Sequence, residues 1–230
     1  MKRYLPLLIL LLLISGCSTL PKQKEQNLEE ISTALREVVV TASERIEAGL
    51  HAQTSLITLV PPSSSPLLDQ AQIPRLDEHL QLWSKQVLAA FRQATIAMPA
   101  LLKPYIEAME FDNPIATRKL SESSASEALE TQFRSEIEHD TRLMLGSYLS
   151  ESKGTWDLLT DRYAIWSRAK TLLGEQALPA LGGDPDDYLV GLFLSTYRDQ
   201  LAKEETYLRT TPVFQGTGSF YELLNQRAEP

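Results

Sequence analysis

One cysteine, Cys17, in 230 residues excludes an internal disulfide framework and any metal site built from several thiolates. Basic charge is short as well: 22 lysines and arginines stand against 30 carboxylates, a formal net charge of −8. A nucleic-acid partner needs a basic face for its phosphates, and this balance speaks against one. No apolar run approaches the roughly 20 residues that a membrane-spanning helix needs. There is no long alternation of apolar and polar residues, and no repeat at solenoid spacing. What is present is a 43% hydrophobic chain. It is long enough to bury the core of one domain, or at most two, and too apolar for wholesale disorder.

The N-terminus is the most specific stretch. Lys2 and Arg3 precede an unbroken apolar run from Leu7 to Ile14, closed at once by Ser15 and Gly16. That order of charge, short apolar stretch and small residues is a secretory signal peptide over residues 1–16. Ile14-Ser15-Gly16-Cys17 also resembles the lipobox of bacterial lipoproteins. The resemblance implies that the Cys17 thiol takes a diacylglycerol, that the chain is cut before it, and that the new amine is acylated with a fatty acid such as palmitate. Two or more acyl chains hold a protein stably on a bilayer, whereas one does so only marginally. Ser18, where an Asp would signal inner-membrane retention in Gram-negative lipoproteins, implies the outer membrane with the protein facing the periplasm. Loss of Lys2 and Arg3 with no acid takes the mature charge from −8 to −10. Cys17 and the polar residues 18–26 read as an acylated N-terminus and tether, nine residues reaching roughly 30 Å at about 3.3–3.6 Å each.

Residues 27–226 read as one all-α domain, a compact multi-helix bundle. Asn27 with Glu30 resembles a capping box, and Leu28, Ile31, Leu35, Val38, Ala42 and Ile46 recur at spacings of three and four, predicting a helix to Ala52. Pro61 to Pro66 predicts a loop. A second stripe runs from Leu76 through Trp83 and Phe91 to Met98, and Pro99 and Pro104 are expected to break the chain beyond it into short pieces. Asp112-Asn113-Pro114 predicts a turn. Ser124 with Glu127 predicts a helix burying Leu129, Phe133 and Ile137 and running to about Leu149, with Gly154 as a left-handed stop; a separate helix then carries Trp156, Leu159, Tyr163 and Trp166 to near Gly174. Asp184-Pro185-Asp186-Asp187 predicts the next start, with Asp as cap and Pro at the first helical position. This helix carries Leu189, Leu192, Phe193, Tyr197, Leu201 and Leu208 inward and ends before Pro212; Ser219 and Glu222 open a short terminal helix with Phe220, Leu223 and Leu224.

Asp186-Asp187-Tyr188, Leu192-Phe193, Ala202, Glu204-Glu205, Leu208-Arg209 and Pro212, with Ala116-Thr117 and Leu120 earlier, resemble the bacterial family known as domain of unknown function 4197. Ser121-Glu122 stand where that family tends to carry basic residues. The resemblance implies an all-helical fold and an envelope location, and brings no catalytic or binding residues with it.

The chemical motifs point to structure more than to catalysis. Glu136 and His139 share a helix face, but a di-metal bundle needs a second Glu-x-x-His. Asp184, Asp186 and Asp187 lack the glycine and closing glutamate of a calcium loop, and helix capping accounts for them. Ser150 to Lys153 and Ser167 to Lys170 fit Ser-x-x-Lys without its companion motifs. Gly216-Thr217-Gly218 lacks the rest of a dinucleotide fingerprint. Trp83, Trp156, Tyr163, Trp166 and Phe193 read as core before they read as a pocket. No catalytic, cofactor or metal residue is assigned. The expectation is a non-catalytic binding or scaffolding module, attached to the membrane through the lipid on Cys17 and acting on an envelope protein partner. The alternative is a carrier or sensor of an apolar small molecule in an interhelical cavity; third comes an enzyme whose site is assembled from separate helices.

Overall fold

Apolar residues spaced three and four apart wind the chain into helices that bury one stripe each. The computed structural model describes residues 20–70, 72–211 and 223–224. Among them are α1 (Leu20–Arg45), α2 (Leu56–Leu59), a 3-10 helix (Pro62–Asp69), α3 (Leu76–Glu107), α4 (Pro114–Leu120), α5 (Ser124–Leu172) and α6 (Asp186–Thr210), with no strand. The all-α expectation holds. Cys17, Gly216 to Gly218 and the start of the terminal helix at Ser219 lie outside the described residues; Leu223 and Leu224 are helical.

The central pair is α3 against α5, packed antiparallel. Tyr105 near the end of α3 donates to Asp140 (2.6 Å), Gln86 to Glu151 (3.3 Å), and Trp83 meets Trp156 at 4.8 Å between ring centroids. α6 lies against both α5 and α1, and α1 also packs on α3. Arg36 of α1 donates twice to the Met109 carbonyl just past the end of α3, at 2.7 and 3.1 Å. Each large side chain taken fully out of water in this core contributes about 1.5–3 kcal/mol.

Several helix ends differ from expectation. α1 begins at Leu20 and stops at Arg45, so residues 20–26 are helical rather than a loose tether, and Asn27 sits inside the helix instead of capping it. Pro21 falls in the first turn, where a missing N–H costs nothing. The proline-rich segment forms the 3-10 helix rather than an open loop. α3 runs unbroken through Pro99 and Pro104 to Glu107. Both prolines stand off the stripe of Met98, Leu102 and Ile106, whose burial against α5 outweighs the lost backbone bonds.

Gly154 does not stop α5. The stripe Leu145, Leu149, Ser152, Trp156, Leu159 and Tyr163 continues past it at unbroken spacing, and the helix ends at Leu172 ahead of Gly174, whose φ of 79° is the left-handed conformation suited to a stop. Gly154 is exposed and an added Cβ would meet nothing within 4 Å. Gly154→Ala is therefore expected to raise unfolding free energy by about 0.5–1 kcal/mol in urea denaturation. Gly182→Ala should do the opposite, because its Cβ would lie 2.6 Å from that of Ser63.

Candidate functional site

α5 bends at Phe133, whose φ of −130° and ψ of 19° leave the helical region. Beside the bend, the Gln132 amide grips the Glu110 backbone, accepting from its N–H (3.0 Å) and donating to its C=O (2.8 Å). By spacing, Phe133 belongs in the stripe between Leu129 and Ile137. It turns instead against Tyr105, 5.5 Å between centroids, and stays half-buried. Next to Leu129 and Ile137 lies a partly open recess of about 150 Å³ between α3, α5 and α6. Met98, Leu102, Leu129, Ile137, Leu194 and Leu201 are its apolar walls. Tyr197 lines it too, with a buried hydroxyl that finds no hydrogen-bond partner among the described residues; burial pushes that phenol up. Glu127, Glu130, Arg198 and Asp199 give the recess its polar margin, and the Arg198 guanidinium stands 2.8 Å from the Glu130 carboxylate.

A buried ionic node adjoins the recess. Glu205 of α6 is wholly buried, and its carboxylate accepts from the Ala125 N–H (3.1 Å), the Ser126 N–H (2.7 Å) and the Ser126 hydroxyl (2.6 Å). These are first-turn groups of α5, so Glu205 caps that helix from the neighbouring one and places its charge at the positive end of the helix dipole. The local pattern predicts Ser124 as cap. Ser124 instead accepts from Arg209 (3.1 Å), while Ser121 and Ser123 donate to Glu127. Arg209 also donates to Glu205 (3.0 Å) and to the Arg118 carbonyl of α4 (2.6 Å). Arg118 in turn donates to the Leu223 carbonyl. Burial raises the Glu205 carboxyl, opposed by the Ser126, Ala125 and Arg209 donors. The node ties three helices together: α4 through the Arg118 carbonyl, α5 through its first turn and α6 through Glu205 and Arg209.

The remaining motif residues have structural partners or face solvent. α6 starts one residue later than expected: Pro185 is its N-cap and Asp186 its first residue, while Asp184, the expected cap, accepts from the Asp186 N–H (2.9 Å) just ahead of the helix. Lys153 pairs with Asp184 (2.9 Å) and Asp186 (3.5 Å), and Arg142 pairs with Asp187. Lys153 thus faces the α6 start rather than Ser150, which donates to Ser147 (2.9 Å). Ser167 accepts from the Leu178 N–H (3.0 Å), and Lys170 pairs with Glu175 (3.3 Å). Glu136 and His139 are both exposed. Among the described residues no group of three or more His, Cys, Asp and Glu is placed to hold a metal ion, and no helix is long and apolar enough to cross a membrane. Trp83, Trp156, Tyr163 and Phe193 are buried in the core, with Trp166 partly so. None of these five lines the recess, whose aromatic wall, Tyr197, reads from its spacing only as core.

His51, which follows the end of α1, is the residue with no warning in any motif. Its ring is 2% exposed, stacked on Phe193 (5.1 Å) and edge-on to Phe91 (4.7 Å), and neither nitrogen has a hydrogen-bond partner among the described residues. Burial lowers its pKa from 6.5 to about 4, so it is neutral at physiological pH.

No protein-family model matches the chain, and neither a curated protein nor a solved structure matches it.

Proposed function

We propose that the chain is a non-catalytic binding module of the bacterial envelope, held to the outer membrane by a lipidated Cys17, and that it takes an apolar side chain of a partner protein in the recess at the α5 bend. The size of that recess carries the reading. Ligand pockets for drug-sized molecules run to about 300–1,000 Å³. The recess offers about 150 Å³, enough for one ring or one branched aliphatic group. This favours a protruding side chain over the alternative of a small-molecule carrier. Wider hollows of about 260 and 400 Å³ lie beside α5 along residues 178–184, but they are open and bordered by polar groups such as Lys153 and Arg168. At the recess margin Glu127, Glu130 and Asp199 outnumber Arg198. The fitting partner segment therefore carries a basic residue beside its apolar one.

A photo-crosslinking residue at Ala202, in the recess wall, should yield a discrete adduct with an envelope protein in living cells. The same residue at exposed Ile57 should not. Leu194→Phe, which fills the recess, should abolish the adduct while the protein stays folded. Loss of membrane retention in Cys17→Ala, with an acylated mass for the wild type only, tests the anchor. An adduct indifferent to Leu194→Phe, or a small molecule retained in native mass spectrometry, would count against the partner reading.

A further inference from the structure

The final turns of α5 run past the beginning of α3. Arg162 reaches the carbonyl of Pro74, just ahead of α3 (3.4 Å). Beyond it, Tyr163 donates to the Pro179 carbonyl (2.8 Å) and Ser167 accepts from Leu178, so that side of the helix is covered by the returning segment. The opposite side is bare. Leu158, Ile165 and Leu172 are 43%, 61% and 89% exposed. Seven-residue steps at about 100° per residue return to nearly the same face, so the three form one straight apolar stripe. Asp161 and Arg168 both fall on one edge of it. Each is exposed, and neither makes a salt bridge among the described residues. Of the other α5 cations, Arg134, Arg142, Lys153 and Lys170 each have a carboxylate within 4.0 Å, while Arg162 donates to the Pro74 carbonyl.

We propose that this stripe is a self-association face, on which a second copy of the chain docks antiparallel about a two-fold axis through Ile165. That axis lays Ile165 on its own copy and Leu158 opposite Leu172. Asp161, four residues before the centre, then comes beside Arg168 of the other copy, three residues after it. The mismatch along the helix is only about 1.5 Å, and both groups lie on the same edge of the contact. Each copy supplies both charges, so the dimer gains two ion pairs by symmetry. A parallel pairing, about an axis along the helices, would carry these charges to opposite edges of the contact and form neither ion pair, so only the antiparallel one gains them. A lipid surface is the poorer occupant. The stripe lies beside the start of α3, whereas α1 passes the far end of α3, where Arg36 holds Met109, about 48 Å away along a 32-residue helix. The start of α1 therefore lies at the opposite end.

The test is site-directed disulfide formation on the full-length chain in its own membranes. Ile165→Cys sits on the proposed axis and should give a disulfide-linked dimer with copper–phenanthroline, well above the background of Ile96→Cys, an equally exposed site on α3. Adding Arg168→Asp should lower the yield about tenfold, and adding Asp161→Arg to that chain should restore it. Restoration by the charge swap cannot come from misfolding. Yield no higher than Ile96→Cys, or one indifferent to both charge changes, would overturn the proposal. So would protection of Ile165→Cys from a membrane-impermeant maleimide by lipid vesicles with no dimer formed. The outcome is separable from the recess reading, because Ala202 crosslinking does not involve this face.

Discussion

Glu205→Ala is expected to lower unfolding free energy by about 4 kcal/mol, a large part of the 5–15 kcal/mol typical of a domain. Two losses add. The first turn of α5 gives up the acceptor for the Ala125 and Ser126 N–H groups, which on the scale of lost helix caps is about 0.5–2 kcal/mol. The Arg209 guanidinium, 4% exposed, loses the carboxylate opposite it, and breaking a buried pair from one side costs about 3–5 kcal/mol. Arg209→Met should cost less, because the Glu205 carboxyl is already pushed up by burial and can take a proton, while the α5 donors stay in place. The double variant Glu205→Ala, Arg209→Met should be more stable than the sum of the single effects, since neither charge is then buried alone. Urea titrations of the four proteins close the cycle. A Glu205→Ala cost below about 1 kcal/mol would mean that the node is not what fixes α5 to α6.

This node also marks where sequence reading stops. The stripes of α1, α3, α5 and α6 are legible because burial repeats every three to four residues: Leu35, Val38, Trp83, Phe91, Leu159 and Phe193 are buried as their spacing requires. The ends of those helices are not. Pro99, Pro104 and Gly154 weigh about 1–3 kcal/mol each against a helix, and a continuous packed stripe overrides them. Ser124-x-x-Glu127 reads as a self-sufficient cap, yet the cap comes from Glu205, some 80 residues along the chain. No local pattern distinguishes the two. Glu205 itself looks like half of an ordinary acidic pair with Glu204, which does face solvent-side Arg45 (3.2 Å). The recess is illegible for a related reason, because its walls come from three helices, α3, α5 and α6, that meet only in the fold.

Acidification should destabilise the protein through His51, by about 3 kcal/mol between pH 6.5 and pH 4. The imidazole titrates at its ordinary 6.5 when the chain is unfolded and at about 4 when folded. Between those values the unfolded chain binds the proton and the folded one does not. Stability from this residue is thus complete above pH 6.5, falls as pH drops below it, and levels off near 4, where the folded ring is protonated as well. The cause is solvation alone: Phe91 and Phe193 cover the ring and provide no acceptor for an added proton. Glu205 works in the opposite direction, because a carboxyl raised by burial gains stability as pH falls, so the wild-type curve mixes the two. The difference between wild type and His51→Phe isolates the histidine. His51→Phe keeps an aromatic ring between Phe91 and Phe193 and removes two unpartnered polar nitrogens, which predicts equal or greater stability at pH 7 and a gap that widens toward pH 4. His51→Leu guards against crowding by the larger ring and should show the same widening. Chemical denaturation at pH 7, 5.5 and 4.5 reads the gap directly. Parallel curves for wild type and both variants would mean that the folded protein admits the proton without cost, and that Phe91 and Phe193 do not keep the His51 ring dry.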